Sequence, residues 1–264
     1  MKRFYSDMKK YGGYIIYAGQ AELRAEVADS YLNWLWWIIE PFCFMLIYTF
    51  IFGYVFNAKE DYFSIFVFIG ITMWTFFNHM LNASVKAVKG NKSIIARTYL
   101  PKYILIFIRM YVNGFKMMLS FGIVLAMMLV YRIPLRPIML WIFPIILVLC
   151  VVTFGFCTFL LHFGVYVEDL VKVVPIVLKM VFYMTGVFYN VEKRVGTLFG
   201  INFGSLLTKW NPTALLISSA RKCLLYGEIP TWKWMLLWLG IGLVLSVLGI
   251  RTIYKNENSY VKVI

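Results

Sequence analysis

The sequence predicts an all-α polytopic membrane protein: six transmembrane helices, an amphipathic interface helix before the first, and short re-entrant or gate helices in the last outer loop. Three observations predict it. Of 264 residues, 62% are hydrophobic and 14% charged, where soluble domains run at about 45–50% and about 25%. Mean hydropathy is +0.77, and 23 Phe, 18 Tyr and 9 Trp are more apolar surface than one core of this size can hide from water. Six stretches reach or approach the roughly 20 apolar residues that a bilayer span needs. A soluble globule, a disordered chain, collagen and a coiled coil are excluded.

The six stretches are Leu35 to Phe56, Tyr62 to Leu81, Tyr103 to Tyr131, Ile138 to Phe163, Val173 to Tyr189 and Trp232 to Ile250. The fifth is short, carries Lys179 and is punctuated by Pro175 and Gly186, so a kinked or incomplete span is expected there. Before the first span, Ile16, Leu23, Val27, Tyr31 and Trp34 recur at helical spacing, with Glu22, Glu26 and Asp29 on another face. Such a helix lies in the membrane interface. No repeat or linker divides the chain, and residues 1–264 read as one membrane domain.

Charge sets the orientation. The net charge of +14 matches a membrane protein whose Lys and Arg gather at anionic cytoplasmic headgroups, and no nucleic-acid partner is needed to explain it. The segment with Lys86, Lys89, Lys92, Arg97 and Lys102 faces two outer loops that together hold three basic residues. The positive-inside rule then places it, and both termini, in the cytoplasm. The start of the chain is basic without a continuous apolar core, so no cleavable signal peptide is expected.

Residues 190–231 are the one long segment between spans. Val195 to Leu207 and Thr213 to Leu225 are too apolar for a solvated loop and too short to cross. They are expected to be short helices that dip back against the outer leaflet or close a conduit.

The catalytic inventory is poor. No HExxH, GxSxG or CxxC occurs, and Cys43, Cys150, Cys157 and Cys223 read as small core residues. His79 and His162 fall near the cytoplasmic ends of their spans. Gly90-Asn91-Lys92-Ser93 lacks the spacing and the preceding strand of a phosphate loop. The acidic pair Glu168-Asp169 sits on a short connection, where it reads as a solvated turn or, at most, a weak cation site.

Five blocks in order carry a resemblance: DSYLNWLWWIIEPFCFMLIYTFIFGYVF, GITMWTFFNHMLNAS, NKSIIARTYLPKYIL, VYVEDLVKVVPIVLKMVFYMTGVFY and WNPTALLISSARKCLLYGEIPTWKW. From about Leu23 to Ile250 the chain resembles the membrane permease subunit of type 2 ABC transporters that export polysaccharides, the family of O-antigen, capsule and wall teichoic-acid permeases. Ser30, Trp36 and Pro41 match the family's approach to the first span, Leu100-Pro101-Lys102 its element before the third, and Asp169 the acid after the fourth. Asn211-Pro212 and Arg221 match the outer re-entrant segment. Asn33 stands where Gly is usual, and Glu168 where Arg often precedes the Asp.

The resemblance implies a permease that pairs with a second copy of itself in the bacterial cytoplasmic membrane. It implies two separate ATPase subunits that bind ATP and Mg, no cofactor in this chain, and a glycan on undecaprenyl diphosphate as cargo. On this reading Lys86, Lys89, Lys92, Arg97, Lys102, Glu168 and Asp169 form the ATPase-docking surface. Phe199, Asn211, Pro212, Leu216 and Arg221 belong to the outer gate. A type 2 permease for a drug or lipid, and an integral glycosyl- or phospho-transferase using Glu168-Asp169 with a metal, are the competing readings.

Charges inside the spans need a partner or a task. At 1.5 Å per residue, Glu40, Arg109 and Lys179 each lie roughly 8 to 9 Å in from the start of their spans. Asn113 and Lys116 continue the polar stripe of Arg109. Glu40 is expected to pair with Arg109, leaving Lys179 to attract the lipid diphosphate that the resemblance implies.

Overall fold

In hydrocarbon every backbone N–H and C=O must bond within the protein, and apolar runs of this length do so as helices. The computed structural model describes the chain apart from residues 1, 29–30, 57–59, 98, 195–196, 199–200, 258 and 261–264. Ser30 and Phe199 therefore lie outside the described residues. The elements are α1 (Lys2–Val27), α2 (Trp36–Tyr48, continued by a π turn Thr49–Val55), α3 (Phe63–Gly90), α4 (Lys92–Arg97) and α5 (Tyr103–Val130). Then come α6 (Ile142–Tyr166, approached through a 3-10 turn Pro137–Trp141), α7 (Leu170–Met184), α8 (Val191–Arg194), the paired two-residue strands β1 (Thr197–Leu198) and β2 (Ile201–Asn202), α9 (Phe203–Trp210), α10 (Pro212–Arg221, prolonged by a π turn Lys222–Tyr226) and α11 (Trp232–Lys255).

The architecture is that of an all-α polytopic membrane protein. Among the described residues, five helices have the length and composition to cross a bilayer: α2 with its π turn, α3, α5, α6 with its 3-10 turn, and α11. The fifth expected span is shorter. α7 has 15 residues, about 22 Å at 1.5 Å each against a core of about 30 Å. It stops because the chain turns back at Gly186, whose φ of 70° suits a residue without Cβ.

α3 is the mast of the bundle. Of its most apolar stretch 78% is buried, against 6% for α2. α5 and α6 pack on α3, α11 on α6, and α1 on α5. Small residues bring the backbones together: a Cβ at Gly164 of α6 would collide with the Val85 carbonyl of α3, and one at Gly249 of α11 with the Thr158 hydroxyl of α6.

The α3 helix continues beyond the expected span end at Leu81 to Gly90, so Lys86 and Lys89 ride on its final turns. Two expectations are corrected. The face of α1 that is buried is Ile15, Gly19, Leu23 and Val27, at i, i+4 spacing, while Ile16, Tyr31 and Trp34 are exposed. Gly19 lets α1 lie against the ring of Tyr111 on α5. Val195 to Leu207 is not one helix: the short β1–β2 ladder precedes α9, in keeping with the β-branched Thr197 and Ile201.

Arg3 and Glu257 form an ion pair at 3.0 Å, so the start of α1 and the segment after α11 lie at the same end of the bundle, here called the basic end.

Gly164→Val is expected to lower the thermal midpoint of the detergent-solubilised protein, since overpacking costs about 1–3 kcal/mol. Gly122→Val, in a position with open space around it, is expected to leave the midpoint within error. Equal midpoints for the two variants would contradict the close α3–α6 approach.

Candidate functional site

Three polar regions are built on this frame. At the basic end, Lys89 Nζ donates to Glu168 Oε1 at 2.7 Å, tying the last turn of α3 to the connection between α6 and α7. That bond holds the Glu168 carboxyl below its ordinary range. Lys86 and Lys92 are exposed beside the pair, Arg97 closes α4, and Asp169 stands exposed ahead of α7. Lys102 departs from expectation. It is 2% exposed, with its ammonium 5.8 Å from the ring of Tyr99, and burial pushes its pKa down. Its role is therefore inside the fold, beneath any docking surface.

Sequence reasoning missed the clasp next to it. Glu257 accepts from Arg3 at 3.0 Å and from the Tyr99 hydroxyl at 2.8 Å. Asp7 accepts from Tyr103 at 2.9 Å and Tyr254 at 2.8 Å. Burial, followed by the carboxylate of Glu257, pushes the Tyr99 phenol up to about 12. α1, the loop before α5 and the end of α11 are thus joined. The partners come from opposite ends of the chain, and no spacing rule could have shown it.

The second region lies within the spans. Arg109 pairs with Glu22 of α1, and Lys116 Nζ with Glu26 Oε2 of α1 at 2.5 Å. The expected Glu40–Arg109 pair is therefore corrected: α1 lies along α5 and offers two carboxylates, one turn apart, to two cations that are two turns apart. Asn113, between the cations, donates to the Arg109 carbonyl at 2.9 Å. Glu40 lines a cleft of about 220 Å³ with Trp37, His79, Asn113 and Lys116. Lys179 lines another, of about 300 Å³, with Tyr48, Trp74, Asn78 and Asn82. The two clefts meet at Phe44, Ile71 and Thr75, on either side of the α2–α3 contact. Arg109, Glu40 and Lys179 do not share one chamber.

The third region is the α9–α10 segment. Asn211 caps α10, its Oδ1 accepting from the backbone of Thr213 at 3.1 Å and Ala214 at 3.3 Å, with Pro212 in the first helical turn. That is the physical reason for an Asn-Pro pair at this place. The Asn211 amide also donates to Thr185 Oγ1 at 3.1 Å, which ties α10 to the end of α7. Leu216 is fully buried, in a helix wedged against α3 and α6. Arg221, 5% exposed, donates to the carbonyls of Phe66 at 3.0 Å, Gly186 at 2.8 Å and Val187 at 2.6 Å. Its guanidinium lies 3.4 Å from the Phe66 ring centre. Gly70 leaves room for this head group.

Fold and clefts define the class: a helical polytopic membrane protein with its polar chemistry between spans and at one charged end. Comparison with known proteins narrows it. No family model matches the chain. It is similar to the O-antigen export system permease protein RfbA of Klebsiella pneumoniae, with 23% identity over 246 residues, 92% of each chain. A second such permease from the same organism is 22% identical over 92% of each chain, and one from Myxococcus xanthus is 25% identical over 87% of each. The similarity runs through nearly the whole molecule and bears out the resemblance to polysaccharide-export permeases.

Replacing Arg221 tests the outer clasp. Arg221→Met leaves three carbonyls without this donor, at about 1–3 kcal/mol for each buried group left unsatisfied. Thermal unfolding and yield of monodisperse protein are expected to fall sharply, and Arg221→Lys to recover only part of the loss because an ammonium lacks the fork of a guanidinium. Wild-type stability in Arg221→Met would contradict the assignment.

Proposed function

We propose that this chain is the membrane permease of an ABC exporter that moves lipid-linked polysaccharide of the O-antigen type out across the cytoplasmic membrane. The observation that carries this reading is the similarity to O-antigen export permeases over 92% of the chain, on a frame of five full-length apolar helices. The chain transports and is not itself an enzyme; a partner ATPase subunit hydrolyses ATP with Mg.

The basic end faces the cytoplasm on this reading, in accord with the positive-inside rule. Lys86, Lys89, Lys92, Arg97, Glu168 and Asp169 then present the docking surface. The Lys89–Glu168 bond couples the ends of α3, α6 and α7, so a displacement imposed on the docked surface passes into the core mast and into the partial span together. Inside, aromatic side chains such as Tyr48, Phe52, Phe182 and Phe188, already in mutual contact, offer flat apolar faces to pyranose C–H groups. Many weak contacts of this kind let a polymer slide. The wedge of α10 serves as the outer gate, with Leu216 in its buried face and Asn211, Pro212 and Arg221 holding it.

Co-purification with the ATPase subunit tests the docking surface. Lys86→Glu and Lys92→Glu, both exposed positions, are expected to reduce ATPase retention at least about tenfold each, as charge reversal at a docking face does, while thermal stability stays at the wild-type value. Unchanged retention and unchanged ATP-dependent export in both variants would overturn it.

A further inference from the structure

Beside the wedge of α10 lies a cavity of about 370 Å³, within the roughly 300–1,000 Å³ of pockets that hold small molecules. The turn after α7 supplies Tyr189, α10 with its π turn supplies Ser218 and Tyr226, and the segments before α3 and α11 supply Asp61 and Glu228. Phe66, in the first turn of α3, also lines it. Lys89 is in the last turn of the same helix, about 35 Å away at 1.5 Å per residue, so the cavity lies at the end opposite the basic one. Its polar groups exceed what the fold uses. A guanidinium carries five N–H donors, and Arg221, which lines the cavity, gives three of them to backbone carbonyls. Arg221 has no ion-pair partner among the described residues, although an uncompensated buried charge is costly. Asp61, Ser218 and Glu228 make no side-chain hydrogen bond or ion pair among the described residues either, whereas Glu192 is balanced by Lys222 at 3.7 Å. The Tyr189 hydroxyl donates to the Tyr183 carbonyl at 2.6 Å and that of Tyr226 to Glu60 at 3.4 Å, which fixes both rings as walls. This mixture selects the ligand. An anion would suit Arg221 and be repelled by Asp61 and Glu228; a cation would meet the reverse; an acyl chain would strand the polar groups. A neutral sugar fits all of them, since each hydroxyl both donates and accepts and the pyranose C–H faces pack on aromatic rings.

We propose that this cavity is a saccharide-binding site at the outer end of the permease, holding a neutral pyranose unit of the exported glycan. Asp61 and Glu228 accept from its hydroxyls, Ser218 and the remaining N–H groups of Arg221 donate, and the rings of Tyr189 and Tyr226 take its apolar faces. The proposal rests on the functional reading, which supplies the glycan and sets which end faces outward. A sugar held there touches the turn after α7, the α10 wedge and the approaches to α3 and α11 together, so the partial span and the gate both respond to its presence. The site needs no aromatic conduit and is separate from the clefts of Glu40 and Lys179, which share none of its lining residues.

The experiment uses the full-length permease in lipid nanodiscs and saturation-transfer NMR. The probes are oligosaccharides cut by partial acid hydrolysis from the cell's own surface polysaccharide, with inorganic phosphate and glucuronate as anionic controls. The oligosaccharides are expected to bind and saturate, and the two anions to leave that binding unchanged. Asp61→Ala and Glu228→Ala, both at exposed positions, are expected to weaken binding at least about fivefold each, as loss of a hydrogen bond to a charged group does, with wild-type thermal midpoints. Ser218→Trp fills the cavity and is expected to abolish binding; should that chain fail to accumulate, the two exposed variants decide alone. No saturable binding to the wild type, or equal binding by Asp61→Ala and Glu228→Ala, overturns the proposal. Displacement of the oligosaccharides by phosphate makes this an anion site and overturns it too. ATP-dependent export by the wild type with its ATPase subunit is measured alongside: export with no binding overturns the site and leaves the permease reading standing, whereas absence of export overturns that reading and, with it, the role given to the site.

Discussion

Charge placed inside hydrocarbon has to be met from within the protein, and the pairing of Arg109 and Lys116 on α5 with Glu22 and Glu26 on α1 is the contact on which the arrangement turns. Without it the middle of α1 would rest on α5 by its apolar face alone, Ile15, Gly19, Leu23 and Val27. With it, α1 is strapped along α5, and its N-terminal turns reach the clasp where Asp7 collects hydroxyls from α5 and α11 and Glu257 collects the Tyr99 hydroxyl of the loop before α5 and the Arg3 guanidinium of α1. Lys116, one of the strapped cations, also lines the cleft beside Glu40. Each of these follows from one side of α5 being too polar to face lipid.

The opposite end obeys the same constraint with a different device. The turn after α7 leaves the carbonyls of Gly186 and Val187 outside any helix, and there the buried Arg221 supplies donors in a fixed fork to both, while its third bond reaches the Phe66 carbonyl inside α3. Asn211 does the corresponding work for the free N–H groups of α10. The two ends are therefore stiff, and the bundle's centre of rigidity is α3. α2 and α7, by contrast, bury few residues: Met45 on α2, and Val174 and Leu178 on α7.

The sequence made much of this legible and left the rest dark for physical reasons. Apolar runs located the spans, because twenty apolar residues have few other uses, and Gly186 with Pro175 already marked the fifth as doubtful. Asn211-Pro212 was readable as a helix start. The partner of Arg109 was not, because Glu22 lies 87 residues away and periodicity reveals that a helix has a polar face without revealing what it meets. The buried face of α1 was misplaced toward Ile16 for a related reason: Gly19, which permits the close approach to α5, carries no hydropathic signal. The three acceptors of Arg221 are backbone carbonyls, which every residue has. The relation between Glu40 and Lys179 was obscured in the same way, since depth along a helix is computable from sequence and the intervening α2–α3 contact is not.

The central claim is that α1 is held to the membrane bundle through its carboxylates, and a double-mutant cycle tests it most directly. Glu22→Gln, Arg109→Gln and the double variant would be compared with wild type by thermal or denaturant unfolding in one detergent. Both side chains are partly exposed, at 22% and 38%, so the coupling expected is about 1–2 kcal/mol, below that of a fully buried pair. The double variant should be no less stable than either single one. Strictly additive effects, with the double variant losing the sum of the two, would contradict the account.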